Sequence, residues 1–378
     1  MNILVNAFGI ADSGGVRVLE EFIKDSVSIK HNNKFTIMLN NFDAFLYFQK
    51  SFSQYDIFEF RYKKLNNFIH RIAYENIFFI KIIKSKNISL IYNFSGTCQV
   101  FIRKPQLVKM HNLLFYSKKL DKHYLSKYDL ILWLKQVYIK AIFFRFMLKL
   151  ADNIEIQSEH VVDSISKFVS LKNKKIYIKS DIKTAPGDFK KVKNYDFSKK
   201  IKFLYIVGPH FEYPHKNFRD FVEAMSIAKQ LELDFEINIT LSKHQLENSK
   251  NWNLDLNQYT NFCGYISDTK TLDNLFSNNT ILISTSVIET LGLHVIEAIK
   301  NGVISIVPNE KYSRDVYGEN MVFYNLYDAY SLSDAILGLI KKHNFISDKI
   351  QKQQAYLVKN ENSKYKNMHL IFDEVNNV

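Results

Sequence analysis

Phe203-Leu204-Tyr205-Ile206-Val207-Gly208 is a run of five apolar residues closed by a glycine. It follows the doublet Lys199-Lys200. Continuous apolar runs of this length are what a strand covered on both faces requires, and such strands belong to parallel sheets. Ile3-Leu4-Val5 near the start of the chain reads the same way. Working outward, strands are expected at Ile3–Phe8, Phe35–Leu39, Leu90–Phe94, Leu107–Met110, Ile154–Gln157, Phe203–Val207, Phe235–Thr240, Ile281–Ser284 and Val303–Val307. Helices are expected at Gly15–Lys24, Val161–Val169, Phe218–Ala228, Leu293–Lys300 and Leu332–Lys341, with further helix between Asn344 and Val378. Strand–helix alternation of this kind implies parallel sheets joined by right-handed crossovers.

The pattern restarts once. Lys183–Lys200 is rich in lysine, poor in strand signals and contains Pro186-Gly187, and a new strand begins directly after it. The reading is therefore an α/β chain of two Rossmann-like, doubly wound domains, 1–185 and 186–355, facing a central cleft. A C-terminal helix in 356–378 is expected to cross back to the first domain. The length of 378 residues suits two domains. Cys98 and Cys263 are too few and too far apart for a disulfide framework or a zinc knuckle.

Charge is unevenly spread along the chain. The net charge is +13, yet residues 1–200 hold 34 basic and 17 acidic side chains, against 17 and 21 in residues 201–378. Residues 51–150 alone hold 18 and 5. Three explanations stand side by side: a nucleic acid, an anionic membrane surface, or the Lys-, Asn- and Ile-rich composition of an AT-rich coding sequence with no partner implied. Zinc-finger spacing, RNP-type aromatics and a basic recognition helix are missing, which weakens the nucleic-acid reading. Met1–Phe8 has neither a basic n-region nor a cleavage site and reads as a strand. No window has about 18 uninterrupted apolar residues; the nearest, Leu130–Leu150, is broken by Lys135, Lys140, Arg145 and Lys149. The expectation is a cytoplasmic protein, soluble or peripheral.

The stretch with the most chemistry is Ser284-Thr285-Ser286-Val287-Ile288-Glu289-Thr290-Leu291-Gly292-Leu293-His294-Val295-Ile296-Glu297-Ala298. A strand ends near Ser284, a glycine-bearing loop follows, and a helix opens near Leu293. The helix start offers backbone N–H groups to an anion. Glu289 lies in the loop and Glu297 a turn inside the helix, where a carboxylate accepts hydrogen bonds from sugar or ribose hydroxyls. On spacing alone, a solvated helix start with acidic neighbours is the more ordinary account.

Glu289 and Glu297 eight residues apart, with Gly292 between them and Ala298-Ile299-Lys300-Asn301-Gly302-Val303 after, resemble the donor site of retaining glycosyltransferases of family 4, which have the GT-B fold. Five further stretches resemble that family in the same order. Phe8-Gly9 through Gly14-Gly15-Val16 resembles its glycine-rich loop. Val108-Lys109-Met110-His111-Asn112 resembles its strand-end histidine segment. Ala151–Glu159 resembles the stretch preceding the last helix of its first domain, Val207-Gly208 through Lys216-Asn217-Phe218 the first strand–loop–helix of its donor domain with the phosphate-binding lysine, and Phe262-Cys263-Gly264-Tyr265-Ile266 its base-binding loop.

The resemblance implies a hexosyltransferase (EC 2.4) using a nucleotide sugar in bacterial surface polysaccharide assembly, with a lipid-linked glycan acceptor. Glu289, His111 and Lys216 would be catalytic. Glu297, Thr290, Leu291, Gly292, Leu293, Gly208, Gly264, Tyr265 and Ile266 would bind the donor, and Gly14 and Gly15 would form a loop against phosphate or acceptor. Away from the resemblance, His111 reads as readily as a packing histidine. Pro209 stands where the family usually has arginine, leaving His210, His215 or Arg219 as a second cation, or none; Ile304 replaces a proline, and no Asn-Gly turn occurs in Tyr177–Asp181. No Asp-x-Asp triplet occurs, so no metal or other cofactor is expected.

Residues 61–86 mix cations, aromatics and isoleucine as interfacial helices do, with Lys64 and Arg71 expected on one helical face. Lys135, Lys140 and Arg145 scatter around a helix, and a lysine-rich solvated surface accounts for the same residues. The expected membrane contact is peripheral, on the inner leaflet. The alternatives are a GT-B epimerase or phosphorylase, and a non-catalytic sugar-binding protein.

Overall fold

The computed structural model describes the chain except residues 11–12, 30, 66, 127–129, 182–183, 267–268, 362–366 and 377–378. The chain divides into two units, residues 1–182 with 364–378, and residues 183–363.

The first unit holds seven strands: β1 (Asn2–Asn6), β2 (Lys34–Leu39), β3 (Phe58–Tyr62), β4 (Leu90–Asn93), β5 (Gln106–Met110), β6 (Asn153–Ile156) and β7 (Lys175–Ile178). They form one parallel sheet in the order β3-β2-β1-β4-β5-β6-β7. Ile3 pairs with both Phe35 and Leu90, so β1 is central. Ile3, Leu4 and Val5 are all buried, as expected for a strand with helices on both faces. The helices are α1 (Ser13–Ser28), α2 (Phe42–Phe52), α3 (Phe68–Ser85), α4 (Lys119–Ser126), α5 (Leu130–Trp133), α6 (Ile139–Leu150) and α7 (Glu159–Ser166). Asn41 and Asn67 cap α2 and α3 by accepting from the amides of Ala44 and His70.

Residues 61–86 are not one amphipathic helix. Arg61 and Tyr62 end β3 and α3 starts only at Phe68, so Lys64 shares no helical face with Arg71. Asn67 supplies the cap that sets this start.

A buried ionic cluster crosses the sheet. The Lys109 ammonium lies 2.5 Å from Glu155 and 2.6 Å from Asp181, Tyr92 donates to Glu155, and Gln157 donates to Asp181. Burial opposes the Lys109 charge, but its two carboxylates outweigh that and hold its pKa above the ordinary value.

The second unit holds β8 (Ile201–Tyr205), β9 (Phe235–Ile239), β10 (Thr260–Phe262), β11 (Thr280–Ile283), β12 (Ile304–Pro308) and β13 (Val322–Tyr324). They form a parallel sheet in the order β10-β9-β8-β11-β12-β13. The chain winds outward from β8 to β10, then reverses and winds from β11 to β13 on the other side. The reversal lies between β8 and β11, where Phe203 pairs with Ile281. The helices are α8 (Phe218–Gln230), α9 (Lys243–Glu247), α10 (Thr269–Leu275), α11 (Leu293–Lys300), α12 (Lys311–Tyr317), α13 (Ala329–Lys341) and α14 (Ile346–Glu361). Phe203, Ile237, Ile281 and Ile304 from four adjacent strands pack with Phe221, Met225 and Leu332 in one core. The final helix, α15 (Met368–Asn376), belongs to the first unit, where Phe372 meets the rings of Phe22, Phe35 and Tyr92.

Candidate active site

At the reversal in the second unit, two loops leave the carboxyl ends of neighbouring parallel strands. In an open α/β sheet this is where ligands bind. After β8 the chain makes a turn, Pro214–Lys216, and passes through Asn217 at φ 47° into α8. Asparagine tolerates this left-handed conformation. Its side chain donates to buried Asp220, which also accepts from the Tyr327 amide. After β11 the chain runs through Ser284–Leu291 and turns at Gly292, φ 59°, into α11.

The two loops are fastened together. Thr285 Oγ1 donates to the Lys216 carbonyl at 2.7 Å and exchanges a 2.8 Å hydrogen bond with Tyr205. The Val287 amide donates to the His215 carbonyl at 2.8 Å, and Tyr312 donates to the Ser286 carbonyl at 2.5 Å. This frame places the Lys216 ammonium 2.8 Å from Glu289 Oε1. Burial alone would raise the Glu289 pKa, but Lys216 and the other donors around it outweigh that and bring it down to about 2. Burial pushes His294 down to about 4, and it hydrogen-bonds Ser284 Oγ at 2.9 Å. Burial and the Lys216 charge push His215 down to about 4 as well. At neutral pH the two histidines are therefore uncharged, while Lys216 and Glu289 form an ion pair.

Gly292 is required by space as well as by φ. A Cβ there would lie 1.9 Å from the Tyr317 hydroxyl and 3.1 Å from Cζ of the same ring. Tyr317 is buried, and its hydroxyl has no hydrogen-bond partner among the described residues. Glu297 sits in the second turn of α11 and is buried. Thr290 and Leu291 are buried at the approach to the helix, and Leu293 opens it.

The structure thus brings Lys216, Glu289, Gly292 and the start of α11 together. Gly208 follows β8, and Gly264, Tyr265 and Ile266 follow β10, so they lie at the same carboxyl end of the parallel sheet. Gly264 has φ 65° and donates to the Leu241 carbonyl, which leaves Tyr265 exposed. Of the residues considered for a second cation beside Pro209, His215 has its pKa held down to about 4 by burial and the Lys216 charge, and Arg219 pairs with Glu223 on the exposed face of α8.

In the first unit the same logic places a cavity of about 140 Å³ at the β1/β4 reversal, lined by Gly9, Arg71, Ser95, His111, Phe115 and Phe144 among others. His111 follows β5 directly. Gly14 and Gly15 do not form the expected loop: both lie in the first turn of α1, because the helix already starts at Ser13. The glycine the loop needs is Gly9, where a Cβ would meet Ser95 Cβ at 2.6 Å and an Arg71 nitrogen at 2.7 Å. Arg71 itself pairs with buried Glu75 at 2.6 Å and reaches Thr97. The i,i+4 spacing of Arg71 and Glu75 was the available signal for that pair. Nothing local in the sequence marks Tyr317, 25 residues beyond Gly292.

Residues 189–362 match the family described as Glycosyl transferases group 1. No curated protein matches the sequence. Solved structures do resemble it. A sucrose-phosphate synthase from Thermosynechococcus elongatus is 14% identical with a TM-score of 0.65, over 95% of this chain and 94% of that one. WaaG, a glycosyltransferase involved in lipopolysaccharide biosynthesis, is 13% identical with a TM-score of 0.62, over 94% and 95%. A putative UDP-N-acetylglucosamine 2-epimerase from Listeria monocytogenes is 11% identical with a TM-score of 0.56, over 93% and 90%. The chain has the GT-B fold, and its second unit carries a glycosyl transferases group 1 domain.

Proposed function

We propose that the protein is a retaining glycosyltransferase of family 4, moving a hexose from a nucleotide sugar to a hydroxyl of a lipid-linked glycan in bacterial surface polysaccharide assembly. The observation that carries this reading is the Lys216–Glu289 ion pair at the start of α11, on the β8/β11 reversal. Negative charge develops on a departing nucleoside diphosphate, and a lysine beside a helix N-terminus is suited to stabilise it. On donor binding Lys216 turns from Glu289 to the diphosphate. Glu289 then faces the sugar, where the positive charge growing on the anomeric carbon takes the place of Lys216 as partner of its carboxylate. Glu297 takes the ribose hydroxyls, Gly208 and Gly264–Ile266 border the nucleotide, and His111 contacts sugar or acceptor. The acceptor oxygen bonds to the anomeric carbon on the face that the phosphate oxygen leaves. That phosphate oxygen takes the acceptor proton, so configuration is retained. In this scheme no metal and no cofactor is used, and the protein works in the cytoplasm against the inner face of the membrane.

A panel of nucleotide sugars screened by thermal stabilisation identifies the donor. With that donor, Glu289→Gln is expected to keep binding and to lose about a hundredfold or more in release of nucleoside diphosphate, the scale of one transition-state electrostatic contact. Wild-type turnover in Glu289→Gln refutes the assignment. Conversion of the nucleotide sugar to its epimer without an acceptor supports the epimerase instead.

A further inference from the structure

We propose that the outward side of residues 130–150, continued by the start of α3, is a docking face for an anionic lipid bilayer. This gives a place to the peripheral attachment read above; it rests on that attachment and not on the glycosyl transfer.

Helix α5, a π-helical stretch over Leu134–Tyr138, and α6 make one helical run of 21 residues. Its inner side is conventional. Val137, Ala141, Met147 and Leu148 are buried, and Phe144 lines the cavity beside His111. Arg145 also turns inward: its guanidinium lies 3.9 Å from the ring centre of Phe168, and its Nε donates to the Phe115 carbonyl. A helix packed this way in a soluble protein normally presents polar residues outward. Here the outward side is apolar. Ile131 is 69% exposed and Ile142 53%, with Tyr138, Ile139, Phe146 and Leu150 along the same stripe. The ring of Phe68 meets that of Phe143 at 4.9 Å, which adds Ile69, 76% exposed, at the edge.

The charges select the occupant. Residues 130–150 contain no Asp or Glu. Lys135 and Lys149 are exposed near the two ends of the stripe. An apolar stripe flanked by cations matches hydrocarbon beneath anionic headgroups. A second copy would set lysines against lysines. Among the described residues no helix is long and apolar enough to cross a membrane, so the run lies in the interface plane. Because α6 also walls the cavity next to His111, the bilayer would lie against the unit that holds this cavity.

The test is co-sedimentation of the full chain with two kinds of vesicle, phosphatidylcholine alone and equimolar phosphatidylcholine and phosphatidylglycerol. Binding is expected to the anionic vesicles only, and to weaken from about 0.1 M to about 1 M salt as the Debye length shrinks from about 10 to about 3 Å. Ile131→Glu/Ile142→Glu and, separately, Lys135→Glu/Lys149→Glu are expected to lower binding about tenfold or more, with unchanged melting temperature. Lys199→Glu/Lys243→Glu makes the same charge change in the second unit and is expected to leave binding intact. The proposal fails if the wild type ignores anionic vesicles or binds neutral ones equally, or if both face variants bind as the wild type does. It also fails if Lys199→Glu/Lys243→Glu loses as much, which makes net charge the cause. A concentration-dependent dimer abolished by Ile131→Glu/Ile142→Glu, without vesicle binding, reassigns the face to self-association. All these readouts are independent of donor turnover.

Discussion

Replacing Gly292 by alanine is expected to damage the second unit through one atom, the Tyr317 hydroxyl. Two costs are involved. An L-residue held at φ 59° is strained by about 1–2 kcal/mol. The new Cβ, 1.9 Å from the hydroxyl oxygen, also forces the ring or the start of α11 to move, an overpacking cost of about 1–3 kcal/mol. Gly292→Ala should therefore lose roughly 3 kcal/mol in all. Tyr317→Phe removes the oxygen, so the nearest ring atom to the new methyl becomes Cζ at 3.1 Å, which a shift of a few tenths of an ångström relieves. Since that buried hydroxyl has no partner among the described residues, Tyr317→Phe alone should be neutral or stabilising by up to about 1 kcal/mol. In the Tyr317→Phe background Gly292→Ala should then cost only the backbone strain, giving a coupling of about 1–3 kcal/mol. The protein has two tryptophans, Trp133 in the first unit and Trp252 in the second. Urea unfolding in a Trp133→Phe background, followed by fluorescence of buried Trp252, reports the second unit by itself. Equal cost of Gly292→Ala in both backgrounds would refute the steric argument. A Tyr317→Phe variant destabilised by more than about 1 kcal/mol would show that the hydroxyl makes a bond.

Acid should weaken the second unit in two stages. His215 and His294 have folded pKa values of about 4, below the ordinary 6.5, so between those limits the unfolded chain binds protons that the folded unit does not. Stability is therefore full above about pH 6.5 and falls toward pH 4, by up to about 3 kcal/mol per histidine. Glu289, lowered from 4.5 to about 2, adds a second fall across that range. His294→Gln should flatten about half of the first fall in urea midpoints read from Trp252; an unchanged slope would show that His294 is not its source. In the first unit, Lys109→Met leaves the Glu155 and Asp181 carboxylates buried together and should cost about 3–5 kcal/mol. Adding Glu155→Gln and Asp181→Asn should recover much of it, read by Trp133 in a Trp252→Phe background; no recovery would mean that the loss is not electrostatic.

The strands legible in the sequence and those missed separate by position in the sheet. The nine expected strands correspond to β1, β2, β4, β5, β6, β8, β9, β11 and β12, every interior strand of both sheets. The four missed, β3, β7, β10 and β13, are the four edges. An interior parallel strand is bonded on both sides and covered on both faces, so it is written mostly in apolar residues, and Lys109 in β5 and Glu155 in β6 are tolerated there because they pair with each other. An edge strand bonds on one side only and is short or charged. Phe58-Glu59-Phe60-Arg61-Tyr62, Lys175-Ile176-Tyr177-Ile178, Thr260-Asn261-Phe262 and Val322-Phe323-Tyr324 all fit that description, and none is buried throughout.

The candidate site drew on the same distinction. Glu289, Gly292 and Glu297 are close in sequence, and one strand–loop–helix reading places them. Lys216 is 73 residues from Glu289, and no local pattern joins them. The strand order does: a chain that winds outward from β8 and restarts at β11 sets the loops after those two strands side by side. Both are interior strands, so missing the edges did not obscure the pair. Residue type and spacing do not reveal a cation's partners. Arg71 and Arg145 look like surface cations by type and spacing. The first is held by buried Glu75, and the second lies on the ring of Phe168. With both drawn inward, the cations left to flank the exposed stripe of residues 130–150 are lysines, and Lys135 and Lys149 near its two ends are the ones that an anionic surface would meet.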